Sequence, residues 1–309
     1  MVITGNRQIE KPVAATIGMF DGVHAGHRYV LSVLREKAQE RGLASAAITF
    51  PLPPQSVVNP GKQYRVLMSL DEKEEALESE GIDFVVVLDF NKAMSMLTAR
   101  EFLKLIRDRY GVKFLLVGYD HHFGHDRKGF DDYAAYGSEL GVEVCLCPKF
   151  EMDGRKVASS AIRELVANGD VACAATLMGR HYRLEGEVVA GYQNGRKLGF
   201  PTANIRISDN CKVIPCNGVY AVSVFLPGGI EKEGMLNIGY RPTVGSDGHV
   251  SVEVNIFDFS ADIYGMPIAV EFVARLRDER KLESLDALKS QLAADKEVVK
   301  NILSKKHEI

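Results

Sequence analysis

The chain has 309 residues, of which 46% are hydrophobic and 26% are charged, so it is long enough for two domains and has an ordinary globular composition. Its formal net charge of -3 provides no general basic field, which argues against a nucleic-acid-binding protein. No segment approaches the ~18 apolar residues of a membrane span, and residues 1–10 lack the apolar core of a signal peptide. We therefore expect neither nucleic acid nor membrane as a partner.

The cysteines point to a reducing compartment. Five cysteines, an odd number, cannot form a complete set of intramolecular disulfides. Cys145 and Cys147 lie in an apolar run and are expected to be buried free thiols, while Cys211 and Cys216 have no partners at zinc-finger spacing. The sequence therefore predicts a cytoplasmic protein.

The first half of the chain alternates apolar runs with helical patterns. The runs VAATIG, ASAAITF, FVVVLDF, FLLVG and VEVCLC are predicted to be strands buried on both faces. The segments between them have helical spacing, and Thr98 with Glu101 forms a capping-box signal at the start of one of them. This alternation predicts a doubly wound parallel α/β sheet, which binds ligands at the carboxyl ends of its strands.

The motif GMFDGVHAGH, residues 18–27, follows the first of these strands and precedes a helix. A helix N-terminus offers unpaired N–H groups and a partial positive charge, both of which favour phosphate. His24 and His27 can donate hydrogen bonds to phosphate oxygens and can also carry charge near neutral pH. This suits the negative charge that spreads when an α-phosphate is attacked. The alternative is a turn that holds two surface histidines.

A second basic element, KVASSAIRELV, spans residues 156–166. Ser159 and Ser160 are expected to precede a helix that has Arg163 on its first turn. Hydroxyls, free backbone N–H groups and a guanidinium at one helix start would form a second phosphate site. The alternative is a serine N-cap beside a solvated arginine.

The pattern changes beyond Gly179, after the two short helical stretches SSAIRELVANG and VACAATLM. YRLEGEVVA, GVYAVSVFL, EGMLNIG, SVEVNIFDF and MPIAVEFVARL are extended segments, and their joins contain turn signals. They predict a small antiparallel barrel or sandwich. Ser284 is expected to begin a final helix with an apolar face formed by Leu285, Leu288, Leu292, Val299 and Ile302.

The stretch GYQNGRKLGFPTANI, residues 191–205, combines a glycine-rich loop with a short strand. Glycines let the backbone approach phosphates, and Arg196 and Lys197 can balance their charge. Thr202 and Asn204 are two residues apart on a strand and face the same side, where their oxygens suit Mg²⁺. The alternative is an ordinary hairpin with basic residues.

Taken together, these motifs resemble the bifunctional prokaryotic riboflavin kinase/FAD synthetase family. GMFDGVHAGH and SSAIR are similar to the two signatures of its adenylyltransferase domain, a member of the HxGH nucleotidyltransferase superfamily, and VGYDHHFGHDRKG is similar to its third loop. FPTAN resembles the riboflavin kinase signature, and NIGYRPTV, residues 237–244, resembles the mobile flap loop of that fold. The resemblance implies an FMN adenylyltransferase domain over residues 1–180 and a β-barrel riboflavin kinase domain with a C-terminal helix over residues 181–309.

The resemblance also implies the site residues. In the kinase domain Glu253 would be the general base that takes the proton of the flavin 5'-hydroxyl, with Mg²⁺ on Thr202 and Asn204. In the other domain His24, His27 and Arg163 would act on the ATP phosphates. The remaining nucleotide-binding residues implied are Gly18, Phe20, Asp21, Gly22, Asp120, Ser159, Ser160, Gly195 and Lys197. His121, His122 and His125 could suggest a metal site, but the family uses this loop without a transition metal.

The activity implied is phosphorylation of riboflavin by ATP and Mg²⁺ to FMN, and adenylylation of FMN by ATP to FAD and pyrophosphate. One departure from the family is TFPLPP, residues 49–54, where Pro53 replaces a histidine and can neither donate a hydrogen bond nor carry charge. Ser160 replaces the usual threonine and keeps the hydroxyl. An alternative is therefore a riboflavin kinase whose adenylyltransferase domain is impaired or lost.

Two further alternatives belong to other functional classes. A non-catalytic flavin-binding regulator is disfavoured because Thr202, Asn204 and Glu253 are retained. A Rossmann oxidoreductase is excluded because no G-x-G-x-x-G follows the first strand. The sequence predicts no oligomeric state.

Overall fold

The structure, a computed structural model, describes residues 1–4, 8–119, 121–152, 154, 157–191, 195, 199–241, 249–280 and 283–305. The chain divides into two compact units, Met1–Ser159 and Ser160–Ile309. The functional boundary expected near residue 180 stays a prediction.

The first unit is built on a six-stranded parallel sheet, as the sequence predicts. Its strands are β1 (Val2–Thr4), β2 (Val13–Ile17), β3 (Ala44–Thr49), β4 (Phe84–Val87), β5 (Val112–Val117) and β6 (Glu143–Leu146). Their order is β1-β4-β3-β2-β5-β6, so β2 lies inside the sheet between β3 and β5. The sequence did not predict β1, because three residues are too short to show a periodicity.

Helices cover both faces of this sheet. They are α1 (Ala25–Glu40), α2 (Gln55–Val58), α3 (Leu70–Ser79), α4 (Lys92–Ser95), α5 (Ala99–Tyr110) and α6 (Phe130–Leu140). Successive residues of β2 enter different cores, because Val13 and Ala15 pack with α5 and α6 while Ala14 packs with α1 and α3. The predicted capping box of α5 is confirmed, since Thr98 and Glu101 each accept a hydrogen bond from the other's backbone N–H.

The second unit contains a closed antiparallel barrel, one of the two arrangements predicted. Its strands are β7 (Tyr182–Val189), β8 (Ala203–Ile207), β9 (Gly218–Leu226), β10 (Ile230–Arg241), β11 (His249–Ile256) and β12 (Pro267–Arg277). They close in the order β10-β11-β8-β7-β12-β9. Alternate residues of β7, among them Tyr182, Leu184 and Val188, are buried, so side chains fill the barrel.

Three helices belong to the second unit: α7 (Ser159–Ala167), which begins at the boundary, α8 (Val171–Met178) and α9 (Leu285–Leu303). Leu292, Val299 and Ile302 pack α9 against the outside of the barrel, as expected. Leu285, predicted on the same apolar face, is 71% exposed, because the contacts with the barrel begin further along the helix.

Two other expectations concern membranes and thiols. Among the helices of the described residues, none has the length and apolarity to cross a membrane. All five cysteines are free; Cys147 is buried, whereas Cys145 is only partly buried.

Candidate active sites

The loop after β2, residues 18–24, lies at the carboxyl end of a central strand and turns sharply into α1, which begins at Ala25. Phe20, Gly22 and Val23 adopt positive φ angles of 48°, 86° and 36°. Two of these are not glycine, and such backbone strain concentrates at functional sites. The buried carboxylate of Asp21 holds the turn, because it accepts the backbone N–H groups of Leu67 at 2.7 Å and Met68 at 3.3 Å.

His24 and His27 both lie at the N-terminus of α1. The helix begins at Ala25, so His24 is its N-cap and His27 lies in its first turn. The Nδ1 atom of His24 accepts the backbone N–H of His27 at 3.3 Å, and the two rings stack with centroids 3.7 Å apart. The predicted motif therefore forms one compact imidazole pair.

Burial keeps these imidazoles neutral. It lowers the pKa of His24 to about 4, and it holds the pKa of His27 well below its usual value, with further repulsion from His24 and Lys73. The expectation that either ring carries charge near neutral pH is therefore wrong in the ligand-free protein. The reason is desolvation, which the sequence did not reveal.

The imidazole pair lines a cavity of about 310 Å³, called here the histidine cavity. Its other lining residues include Thr16, Gly18, Phe20, His121 and Ser159. Thr16 Oγ1 and His27 Nδ1 are buried and, among the described residues, have no hydrogen-bond partner. Buried polar atoms without partners are typical of sites that a ligand completes. Thr16 was missed, although it is the one hydroxyl in the apolar strand VAATI.

Ser159 joins the histidine cavity, and its hydroxyl donates to the Asp21 carbonyl oxygen at 2.9 Å. Helix α7 begins at Ser159 itself, so Ser159 and Ser160 are helical residues and do not precede the helix as expected. Ser160 is exposed and Arg163 is partly buried, and both belong to the second unit. Their roles stay predictions, and Asp120 lies outside the described residues.

Two further loops named in the sequence analysis are the third loop, residues 117–129, and the proline-rich loop, residues 49–54. The part of the chain that the structure describes contains no group of three or more His, Cys, Asp or Glu side chains able to hold a metal ion. Burial lowers the pKa of His121, which lines the histidine cavity, to about 4. Pro53 lies just before α2, where its carbonyl oxygen accepts the backbone N–H of Ser56 at 2.8 Å.

In the second unit, strand register brings the predicted kinase residues together. Glu253 on β11 lies opposite Asn204 on β8 and opposite Asn237 on β10. The hydroxyl of Thr202 donates to the Glu253 carboxylate at 3.3 Å. The buried neighbours of Glu253, Val252 and Val254, point to the opposite face. We call Asn237, Glu253 and Asn204 the Glu253 row.

Asn237 and Glu279 are parts of this site that sequence reasoning missed. The Asn237 amide donates to Glu279 at 3.2 Å, and the lack of a side chain at Gly239 leaves room for the Glu279 carboxylate. The signal for Asn237 was its polar side chain within the apolar run MLNI, but its relation to Glu253 depends on how the strands pair.

The surroundings of Thr202 and Asn204 fit a hydrated divalent cation. Asn255 donates to the Pro201 carbonyl oxygen at 2.6 Å and holds this stretch in place. A Cβ at Gly191 would overlap the Asn204 amide, so glycine keeps room for that side chain. Two neutral oxygen ligands beside one carboxylate suit Mg²⁺, which retains several waters and binds phosphates.

A cavity of about 440 Å³ adjoins Thr202, with walls formed by Val188, Ala203, Val254 and residues 259–264. The carbonyl oxygen of Gly195 accepts the Phe200 N–H at 2.9 Å, so Gly195 closes the turn before Thr202. Lys197 and residues 242–244 of the expected flap loop lie outside the described residues. Within the second unit, therefore, the structure brings together Glu253, Thr202 and Asn204, and of these three residues Thr202 lines the cavity.

Comparisons with known proteins match two enzyme families in successive parts of the chain. An FAD synthetase family model matches residues 6–161, and a riboflavin kinase family model matches residues 178–303. The bifunctional riboflavin kinase/FMN adenylyltransferase of Haemophilus influenzae is 40% identical over 289 residues, 93% of each chain. The protein of the same name from Pseudomonas fluorescens is 39% identical over 283 residues, 91% of this chain and 90% of that protein.

A solved structure shares the fold of the whole chain. The crystal structure named as a macrolide-efflux protein from Streptococcus pneumoniae has a TM-score of 0.87 and 32% identity, and the match covers 97% of this chain and 99% of that chain. The name of that structure describes efflux, whereas the names of the two bacterial relatives describe flavin chemistry.

Proposed function

This chain belongs to the bifunctional riboflavin kinase/FMN adenylyltransferase family, and from that premise we propose how its two sites divide the chemistry. The second unit phosphorylates riboflavin with ATP and Mg²⁺ to give FMN. The first unit transfers AMP from ATP to FMN and releases pyrophosphate. The observation that carries the proposal is that one chain has a buried imidazole pair at a helix N-terminus and a separate Glu253 row.

In the kinase reaction Glu253 acts as the general base. It takes the proton of the flavin 5'-hydroxyl while that oxygen forms a bond to the γ-phosphorus and the bond from this phosphorus to the ADP oxygen breaks. The 3.3 Å hydrogen bond from Thr202 orients the carboxylate. Thr202 and Asn204 would hold Mg²⁺, which neutralises phosphate charge when it is bound. The 440 Å³ cavity beside Thr202 is the proposed nucleotide site.

In the adenylyl transfer a phosphate oxygen of FMN attacks the α-phosphorus of ATP, and the bond to pyrophosphate breaks. No protein nucleophile is needed, so the site acts by positioning and charge stabilisation. The Nδ1 atom of His24 accepts a backbone N–H, which assigns its ring proton to Nε2. A neutral imidazole in this tautomer donates to phosphate, next to the positive end of the α1 dipole.

The alternative of a kinase without adenylyl transfer is not favoured. Pro53 cannot donate to phosphate, but His24, His27 and Ser159 still line one cavity. The two bacterial relatives are named as bifunctional enzymes, and the matches to this chain cover nine tenths or more of their length. We also propose a cytoplasmic location, because all five cysteines are free thiols.

The decisive experiment supplies each substrate separately. The purified chain is incubated with ATP and Mg²⁺ plus either riboflavin or FMN, and FMN, FAD and pyrophosphate are measured. We expect FMN from riboflavin, FAD and pyrophosphate from FMN, and neither product when the divalent cation is chelated. Production of FMN without FAD would establish the impaired-domain alternative, and failure of both reactions would reject the proposed function.

A further inference from the structure

Lys73 is a buried charge beside the histidine cavity that none of the motifs explains. It lies within α3 and is 0% exposed, and its Nζ donates to the carbonyl oxygen of Phe50 at 2.7 Å. Burial lowers its pKa to about 8, opposed by attraction from Asp21, so the amine remains mostly protonated at neutral pH. Desolvating an ammonium costs several kcal/mol, and an apolar side chain of similar volume would fill this space without that cost.

The charge of Lys73 acts on the loop after β2. Two residues just before α3, Leu67 and Met68, donate their backbone N–H groups to the carboxylate of Asp21 in that loop. Lys73 follows on the first turns of the same helix, and it lies close enough to His27 to lower the pKa of that imidazole. The positive charge therefore lies within electrostatic range of the imidazole pair.

The hydrogen bond of Lys73 fixes a second loop. Phe50 is the first residue after β3, and the preceding Thr49 hydroxyl donates to the Met19 carbonyl oxygen at 3.2 Å. Gly18 donates its backbone N–H to the carbonyl oxygen of Ile48 at 3.0 Å. The end of β3 is thus bonded to the loop after β2, and Phe50, the residue that follows the strand, is bonded to Lys73.

We propose that Lys73 is a positioning residue for adenylyl transfer, which holds the end of β3 against the loop after β2 and adds a fixed positive charge near His27. Because His24 and His27 are neutral, this charge and the α1 dipole together stabilise the negative charge that develops as the α-phosphorus is attacked. A charge in a poorly solvated interior acts over a longer distance than one at the surface. The inference rests on the proposed function of the first unit.

The test compares Lys73→Met with Lys104→Met, which removes an exposed lysine of α5 that pairs with Asp108. FAD synthesis from FMN, riboflavin phosphorylation and the melting temperature are measured for each variant. We expect Lys73→Met to lower kcat for FAD synthesis by at least roughly tenfold, with KM for ATP changed less than about threefold. Riboflavin phosphorylation should be unchanged, and Lys104→Met should behave like the parent in every assay.

Two further measurements separate positioning from simple stability. Lys73→Gln keeps a donor for Phe50 without the charge, so its kcat should fall between those of the parent and Lys73→Met, and it serves if the Met variant does not fold. NMR of the His27 ring should show its pKa rising in both variants, because a repelling charge has been removed.

Three results would overturn the inference. One is a folded Lys73→Met variant with kcat within about twofold of the parent. Another is a loss of FAD synthesis that follows the unfolded fraction alone, and the third is a His27 pKa that does not move. Absence of FAD synthesis in the unsubstituted chain would instead reject the proposed function.

Discussion

The imidazole pair of the histidine cavity is buried and neutral, whereas the Glu253 row lies on the outer face of the barrel and includes a carboxylate side chain. His24 is 4% exposed, and burial lowers its pKa to about 4. Glu253 and Thr202 are only partly buried. Both sites are proposed to handle ATP, yet their electrostatic designs differ.

The difference follows from the nucleophile of each reaction. The riboflavin hydroxyl must lose a proton as it attacks, so the kinase site needs a base that is ionised at neutral pH. The phosphate of FMN is already anionic and needs no base. Its site therefore needs only donors and positive potential, which neutral imidazoles, a helix N-terminus and Lys73 can supply.

The largest effect should come from Glu253→Gln. This change removes the base but keeps the shape, so FMN production should fall roughly 10³-fold. FAD formation from supplied FMN should be unchanged, because that reaction has no proton to remove. Glu233→Gln on β10, an exposed glutamate, is the matched control. Loss of both activities in Glu253→Gln would contradict the division between the sites.

A smaller effect is expected from His27→Asn. Removing one imidazole donor from the phosphate site should lower FAD synthesis about 10²-fold, with riboflavin phosphorylation intact. His125→Asn provides the control, since His125 is exposed and is not among the residues that line the histidine cavity. An unimpaired FAD rate in His27→Asn would remove the role of the imidazole pair.

A steric change should distinguish the metal ligands from the base. In Gly191→Ala the new methyl group would displace the Asn204 amide, so the Mg²⁺ concentration for half-maximal kinase activity should rise about tenfold. In Gly61→Ala, by contrast, no atom lies within 4 Å of the added methyl group, and this variant should behave like the parent. A normal Mg²⁺ requirement in Gly191→Ala would argue against Asn204 as a ligand.

The features that the sequence could predict are those that depend on local patterns in the chain. Alternation of apolar runs and helical patterns depends on local periodicity, so the parallel sheet was predicted correctly. For the second unit the extended segments left a barrel and a sandwich open, and the family resemblance implied the barrel. The motif around His24 and His27 is also local, because a helix N-terminus follows a strand within a few residues. Asn204 and Thr202 are two residues apart and could be placed together from their spacing alone.

Features that depend on tertiary contacts could not be predicted. The neutrality of His24 comes from burial by elements distant in sequence, and so the expected charge was wrong. Asn237 joins the Glu253 row only through the pairing of β10 with β11. Lys73 lies among acidic residues in the segment SLDEKEEALESEG, residues 69–81, and nothing in that pattern distinguishes it from an exposed lysine. Only the fold shows that its side chain is buried.

The smallest predicted effect is a dependence of stability on pH that arises from His24. An unfolded histidine titrates near 6.5, whereas folding lowers the pKa of His24 to about 4. Above pH 6.5 the ring is neutral in both states and has no effect. Between 6.5 and 4 the unfolded state binds a proton that the folded state does not, so stability falls with falling pH, by about 1 kcal/mol at pH 5.5.

His24→Asn isolates this contribution, because asparagine is also a good N-cap and should preserve the start of α1. Urea unfolding of parent and variant at pH 8 and pH 5.5 should show a loss of stability about 1 kcal/mol smaller in the variant. His121 remains in both proteins, and its contribution cancels in the difference. Equal losses of stability would mean that His24 is protonated at pH 5.5 in the folded protein. The phosphate site would then contain an imidazole whose charge depends on pH, and not a neutral hydrogen-bond donor.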